Sequence, residues 1–389
     1  MNLDSSAGAR RKILSVVGTR PNMMKIAPIA AELRRRADEF EHVLVHTGQH
    51  YDRELSAIFL EELGVGDPDY SLAVGSGSHA QQTAAVIERL EPVLLEAEPQ
   101  LVLVPGDVNS TMAAAVATSQ LQIPLAHVEA GLRSFDRTLP EELNRVVADH
   151  LSQLLFTHSP DARDNLLGEG CAPAAIHEVG NTMIDSLVAL RERIDERHAA
   201  REHGLEPGSY LVVTLHRHWV DGPFMADVMT RLAALSESLP VVFPVHPRTR
   251  AALETMSLVA ESPRLLLLEP VGYIEFMSLL ADAAGALTDS GGIQEETTFL
   301  GLPCFTLRPN TERPITVSMG TNTVIGADPE RIADVPDLLA AARTRTPTVP
   351  PLWDGQAAVR IVDVIGEFLR DASSTPIRSL SGGLGSPPQ

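Results

Sequence analysis

The sequence predicts an α/β protein made of two doubly wound, Rossmann-like parallel sheets facing a cleft. Short apolar runs alternate with longer helical patterns, the signature of strand–helix–strand units in a parallel sheet. The alternation breaks at a charged helical stretch, Asp185 to His203, and then begins again. The polar residues Arg20, Gln49, Asp107 and Glu129 all fall at strand ends, where open α/β sheets bind their ligands.

In the first half, the strand Lys12 to Val17 runs into Gly18-Thr19-Arg20-Pro21-Asn22 and a helix from about Met23 to Arg36. Val43 to Thr47 is a second strand, closed by Gly48-Gln49-His50, with helical patterns at Asp52 to Glu62 and Ala80 to Glu96. Leu101 to Val104 ends at Pro105-Gly106-Asp107, where Ser110 or Thr111 can cap the helix that follows. Leu125 to Val128 ends at Glu129-Ala130-Gly131, and Pro140 opens a helix carrying Glu141, Glu142 and Arg145. Leu154 to Thr157 and Ile176 to Val179 complete the set.

In the second half, strands are expected at Tyr210 to Leu215, Val241 to Val245, Leu265 to Leu268, Ala283 to Leu287 and Cys304 to Leu307. Two such domains leave a cleft between them.

The stretch Thr288-Asp289-Ser290-Gly291-Gly292-Ile293-Gln294-Glu295-Glu296 reads as a strand end, an N-cap serine, two glycines and a helix start. A helix start offers free N–H groups and partial positive charge, which suit a phosphate. Glu295 and Glu296 then stand where a carboxylate can accept hydrogen bonds from the vicinal hydroxyls of a ribose. Phosphate and diol together describe a nucleotide; an ordinary capped helix is the plainer alternative.

Composition narrows the partners. The 389 residues carry 51 acidic against 31 basic side chains, a net charge of −20, which argues against nucleic acid and anionic membrane surfaces. Aromatics are 4%, too few for serial base stacking. Cys171 and Cys304 form neither a disulfide framework nor a zinc spacing. Met1 to Arg11 is short and polar with no apolar core behind it, so the expected location is cytoplasmic. Ser373 to Gln389 is rich in Ser, Gly and Pro and is expected to be a disordered tail.

Arg20 and Lys25 from the first half, with His216, Arg217, His246 and Arg313 from the second, can offset a diphosphate. The carboxylates Asp107, Glu129 and Glu141 all lie in the first half, where they can act on a sugar as general base and general acid. Glu141 and Arg145 are spaced i,i+4, as in an ordinary helix salt bridge or a carboxylate held for proton transfer.

These motifs together resemble a family. Gly18-Thr19-Arg20-Pro21, Thr47-Gly48-Gln49-His50-Tyr51-Asp52, Gly106-Asp107-Val108-Asn109-Ser110-Thr111 and His127-Val128-Glu129-Ala130-Gly131-Leu132-Arg133 occur in order. Pro140-Glu141-Glu142-Leu143-Asn144-Arg145, Gly180-Asn181-Thr182, Thr214-Leu215-His216-Arg217, Pro244-Val245-His246-Pro247-Arg248, Ser290 to Glu296 and Thr311-Glu312-Arg313-Pro314 follow. From about Lys12 to Leu369 the chain resembles the non-hydrolysing UDP-N-acetylglucosamine 2-epimerases.

The resemblance implies a GT-B type arrangement, with residues 1–183 as the N-terminal domain, 184–354 as the UDP-binding domain, a helix at about 355–371 packing back on the first, and a tail at 372–389. It implies a homodimer, a UDP-sugar substrate, and neither metal nor nicotinamide cofactor. The reaction it implies is anti elimination of UDP to a 2-acetamidoglucal, then re-addition with the opposite configuration at C2. By position, Asp107, Glu129, Glu141, Arg145, His216 and Lys25 match the family's catalytic residues. Arg20, Phe276, Ser290, Gly291, Gly292, Glu296 and Arg313 match its UDP contacts. Gln49, Glu142, Arg217 and His246 match pieces of an allosteric UDP-sugar site.

Asn22, the stretch His218-Trp219-Val220-Asp221 and Ile315 depart from the family's commoner form. The rival readings are a hydrolysing 2-epimerase releasing ManNAc and UDP, a GT-B glycosyltransferase, and a non-catalytic UDP-sugar sensor.

Overall fold

The computed structural model describes residues 10–48, 62–215, 222–245, 250, 253, 262–344 and 346–374. Two all-parallel sheets dominate. The first has the order β3-β2-β1-β4-β5-β6-β7 and the second β10-β9-β8-β11-β12-β13. In the first lobe these are β1 (Arg11–Val17), β2 (Phe40–His46), β3 (Tyr70–Ser71), β4 (Leu101–Pro105), β5 (Leu125–Val128), β6 (Leu154–Thr157) and β7 (Ile176–Glu178). In the second they are β8 (Leu211–Thr214), β9 (Val241–Pro244), β10 (Leu265–Leu268), β11 (Gly285–Thr288), β12 (Cys304–Thr306) and β13 (Asn322–Val324).

The strand order reverses between β1 and β4, and again between β8 and β11, giving each sheet a crevice at its carboxyl edge. Both faces of each sheet are covered, so the strands read as continuous apolar runs. Leu101, Val102, Leu103 and Val104 are all fully buried, as are Leu211, Val212 and Val213. The edge strands β3 and β13 were not anticipated: two and three residues are too short to show any periodicity.

The charged connector is helical, as Thr182–Ala189, Arg191–Arg197 and Ala199–Glu202. From the second lobe the chain returns through Trp353 to the helix Ala357–Ser374, which packs on the first lobe. Ile361, Val362 and Ile365 are fully buried there, in one apolar cluster with Ile26 and Ile29. Asp185 accepts hydrogen bonds from the backbone N–H of Ala357 (3.1 Å) and Ala358 (2.7 Å), capping this helix from across the chain. The crossing strand of backbone comes so near Gly180 (φ +90°) that a Cβ there would sit 2.0 Å from the Leu352 carbonyl oxygen.

Among the described residues no helix is long and apolar enough to cross a membrane. The helical pattern at 52–61 and the segment 375–389 lie outside the described residues.

Candidate functional site

Asn22 sets the first loop. Its side chain accepts from the Gly18 N–H (3.3 Å) and the Thr19 hydroxyl (3.1 Å), and donates to the Pro105 carbonyl (2.9 Å). The end of β1 is thereby tied to the end of β4. One helical turn later Lys25 reaches Glu129, with both side chains buried. Arg20 stands exposed at the opening of the helix Arg20–Arg35.

Glu129 has φ +70°, a left-handed backbone that costs a non-glycine residue about 1–3 kcal/mol. The N–H groups of Glu129 and Ala130 both donate to the Phe156 carbonyl, which holds the turn. Behind it, His127 directs Nδ1 at Asp149 (2.6 Å) and Nε2 at the Gly106 carbonyl (2.7 Å). Both ring nitrogens face oxygen atoms, and one residue locks the Asp107 and Glu129 loops together.

The i,i+4 pairing of Glu141 with Arg145 does not form. Arg145 instead donates to Asp107 (2.5 Å) and to Glu142 (2.9 Å), because the Asp107 loop lies over the inner face of the helix Pro140–Leu151. Glu141 keeps Oε2 buried without a hydrogen-bond partner. Neither Ser110 nor Thr111 caps its helix: Val108 is the N-cap, Thr111 donates to the Pro105 carbonyl, and Ser110 shares a hydrogen bond with Thr47.

In the second lobe the helix Gly291–Leu300 starts at the carboxyl end of β11, with Ser290 in the N-cap position. The Ser290 side chain makes no capping bond, because its backbone turns on Thr288 instead. Gly291 is required by Arg313: a Cβ would stand 2.1 Å from Nη1 of that guanidinium. A Cβ on Gly292 would make only ordinary contact, 3.4 Å from Met183.

Arg313 is the hub that joins the lobes. It binds Glu295 (2.8 Å) and Glu312 (2.6 Å) of its own lobe and Glu129 (2.9 Å) of the other. Arg145 of the first lobe lies 3.7 Å from Glu312, and His158, at the end of β6, sits 3.0 Å from Glu295. Asn310 donates to the Ser134 carbonyl (3.4 Å).

Burial alone would raise the Glu129 carboxyl, but the Lys25 and Arg313 charges outweigh it and hold the group below the usual carboxylate range. Burial likewise opposes ionisation of Glu295, and Arg313 and His158 reverse it, down to about 2. The reverse holds at Glu296. Burial drives it up to about 8, against a hydrogen bond from the Tyr273 hydroxyl (2.8 Å). The two neighbouring glutamates of the helix start are therefore in opposite states. Phe276 lies half-buried one turn beyond Tyr273.

Ligand atoms of Glu129, His158 and Glu295 lie within 4.8 Å of one another, a spacing open to a metal. Lys25 and Arg313 already compensate both carboxylates, so a divalent ion would meet two resident cations.

Arg313 therefore joins Glu129 and its partner Lys25 to Gly291, Glu295 and Glu312, and Arg145 with its partner Asp107 lies beside Glu312, while Glu141 shares the Arg145 helix and shows no contact with the second lobe among the described residues. The Glu142 carboxylate accepts from Ser134 N and Oγ and from Phe135 N, besides Arg145. Gln49, His216, Arg217 and His246 lie outside the described residues. His158, Tyr273, Arg308 and Glu312 belong to the neighbourhood and were not singled out as site residues. His158 and Arg308 follow the ends of β6 and β12, the placement that marked Asp107 and Glu129.

The family model described as UDP-N-acetylglucosamine 2-epimerase matches residues 31–366. A UDP-N-acetylglucosamine 2-epimerase homolog of Methanococcus maripaludis is 41% identical over 362 residues, 91% of this chain and 99% of the relative. A UDP-2,3-diacetamido-2,3-dideoxy-D-glucuronate 2-epimerase of Pseudomonas aeruginosa is 39% identical over 334 residues, 83% of this chain and 90% of the relative. The crystal structure of Methanocaldococcus jannaschii UDP-GlcNAc 2-epimerase in complex with UDP-GlcNAc and UDP superposes with a TM-score of 0.84 at 37% identity, covering 92% of this chain and 99% of that one. The chain belongs to the UDP-N-acetylglucosamine 2-epimerase family.

Proposed function

We propose that the chain catalyses reversible C2 epimerisation of UDP-N-acetylglucosamine to UDP-N-acetylmannosamine, or of a close UDP-amino-sugar, without net hydrolysis. The observation that carries this reading is Arg313, which packs against a helix start suited to phosphate and pairs across the gap with the first-lobe carboxylate Glu129. The leaving diphosphate would take the N–H groups at Gly291 and Gly292 and the Arg313 guanidinium, donors aimed where charge develops. Arg313 would exchange carboxylate for phosphate partners as it does so.

The C2 proton would pass to a carboxylate of the first lobe. Glu141 fits that role: one of its oxygens is buried and unpartnered, whereas Asp107 is tied to Arg145 and Glu129 to Lys25 and Arg313. Glu129, held ionised, would stabilise positive charge at C1 as UDP departs. Contact between the lobes would keep water from that carbon and return the glycal to UDP. Glu296 and Tyr273 would receive the ribose, and Phe276 would lie against the uracil. We place the enzyme in the cytoplasm as a homodimer; sedimentation at two protomer masses tests the latter.

Purified protein incubated with UDP-GlcNAc in D2O is expected to place deuterium at C2 of both epimers without added nicotinamide or metal. Product free of deuterium would defeat the elimination mechanism. Free ManNAc accumulating in step with UDP would convert the reading to a hydrolysing epimerase.

A further inference from the structure

Three arginines converge on Glu312. Arg308 lies 2.7 Å from it, Arg313 2.6 Å and Arg145 3.7 Å. Two of them have further carboxylates: Arg145 holds Asp107 and Glu142, and Arg313 holds Glu129 and Glu295. Arg308 has Glu312 alone among the described residues. Its Nε and Nη1 are buried without a hydrogen-bond partner, on a side chain only 1% exposed. Those two nitrogens flank the one that Glu312 engages.

A buried donor left unmade costs about 1–3 kcal/mol, and more on a charged group. An arginine whose only task was to hold Glu312 would not need to bear that cost twice, since Arg313 already holds the same carboxylate. Arg308 also stands at the right edge of the fold. It follows β12 at the carboxyl end of the sheet, and the Leu307 N–H bonds the Thr288 carbonyl at the end of β11, just before the Gly291 helix start. Through Glu312 it is one carboxylate away from Arg313.

We infer that Arg308 is an anion-recognition residue of the cleft, whose idle Nε–H and Nη1–H donors take an oxyanion carried by the nucleotide sugar. The inference rests on the reading that a UDP-sugar occupies the cleft. Two sources can supply that oxyanion: the β-phosphate of the leaving group, or a carboxylate at C6 of a uronate sugar. The guanidinium suits either.

The test is calorimetric titration of the full chain and its Arg308→Met and Arg308→Lys variants. The ligands are uridine, UDP, UDP-GlcNAc and the corresponding UDP-N-acetylglucosaminuronate. If the β-phosphate is the partner, Arg308→Met weakens UDP at least tenfold and leaves uridine unchanged. If a sugar carboxylate is the partner, UDP is unchanged and a tenfold or greater preference for the uronate over UDP-GlcNAc disappears. Arg308→Lys keeps a charge on Glu312 but lacks both idle donors, so it carries the same expectation should the methionine variant not fold. Folded variants that bind all four ligands as the parent does would overturn the inference. A parent protein that fails to bind UDP would instead overturn the functional reading beneath it.

Discussion

The two lobes bring different chemistry to the cleft, and they hold it by different means. The first lobe supplies carboxylates at the ends of β4 and β5 and on the helix Pro140–Leu151; the second supplies a helix start and the arginines Arg308 and Arg313. Asp107 is oriented entirely within its own lobe, by Arg145. Glu129 has one partner from its own lobe, Lys25, and one from across the gap, Arg313. Glu141 has one oxygen that no partner meets. One carboxylate is thus held from its own lobe, one is held from both, and one keeps a buried oxygen without a hydrogen-bond partner. Inversion at C2 takes a proton off one face of the ring and returns one to the other, so two acid–base groups are needed, and the differing partners of the three carboxylates would set them apart.

The largest expected effects separate these carboxylates. Glu141→Gln is expected to slow C2 exchange by about 10²–10⁴-fold, the usual worth of a positioned acid or base. It should leave the denaturation midpoint where it was, since no ion pair is lost. Glu129→Gln is expected to slow exchange and also destabilise, because Lys25 and Arg313 lose a buried counter-charge. Should Glu141→Gln exchange at the parent rate, the distinction between free and paired carboxylates would be wrong.

Removing the hub tests how far the lobes depend on each other. Arg313→Met leaves Glu129, Glu295 and Glu312 buried without their common cation, and breaking a buried pair in this way costs about 3–5 kcal/mol. A urea titration measures it. A parent-like midpoint would mean that Lys25, His158 and Arg308 suffice for the three carboxylates.

The pair Glu295 and Glu296 sharpens the comparison within one helix. Glu295 is depressed, so its stabilising contribution is present above the ordinary carboxylate range and is lost as pH falls toward about 2. Glu296 is raised to about 8, so its contribution is complete below about 4.5 and is lost as pH rises through 8. Glu296→Gln is therefore expected to hold its stability between pH 5 and 8 while the parent declines relative to it. Parallel pH–stability curves for the two proteins would place Glu296 in a more solvated setting.

The sequence made the framework legible because strands buried on both faces are continuous apolar runs and their polar exceptions fall at the carboxyl edge. It misled wherever local spacing competed with a partner distant in sequence. Glu141 and Arg145 have ideal helix spacing, yet Arg145 reaches back to Asp107 and Glu142. Ser290 has the ideal cap chemistry, yet its side chain leaves the helix start uncapped. Arg308 was visible only as a strand end: nothing in its neighbours along the chain says that Glu312 is shared with Arg145 of the other lobe. Tyr273 was hidden because its partner, Glu296, lies on a different helix.

The smallest of these effects lies outside the cleft, at the return of the chain to the first lobe. Asp185 caps the helix Ala357–Ser374 from a helix that precedes it by most of the second lobe. Its carboxyl is raised to about 6, by burial acting against the two backbone donors. Asp185→Ala removes both acceptors, and loss of such a cap costs about 1 kcal/mol. The loss should be local. Hydrogen exchange is expected to quicken at Ala357 and Ala358 while β11 and β12 keep their protection, since neither strand touches the cap. The cleft then tests the other half of the comparison. Trp353 donates to the His158 carbonyl (2.8 Å) and His158 faces Glu295, so a slowed turnover in this variant would show that the loss is not local. A variant with faster exchange at the helix start and unaltered epimerase turnover would show that the two lobes are held together by the ion pairs around Arg313 rather than by the crossing helix.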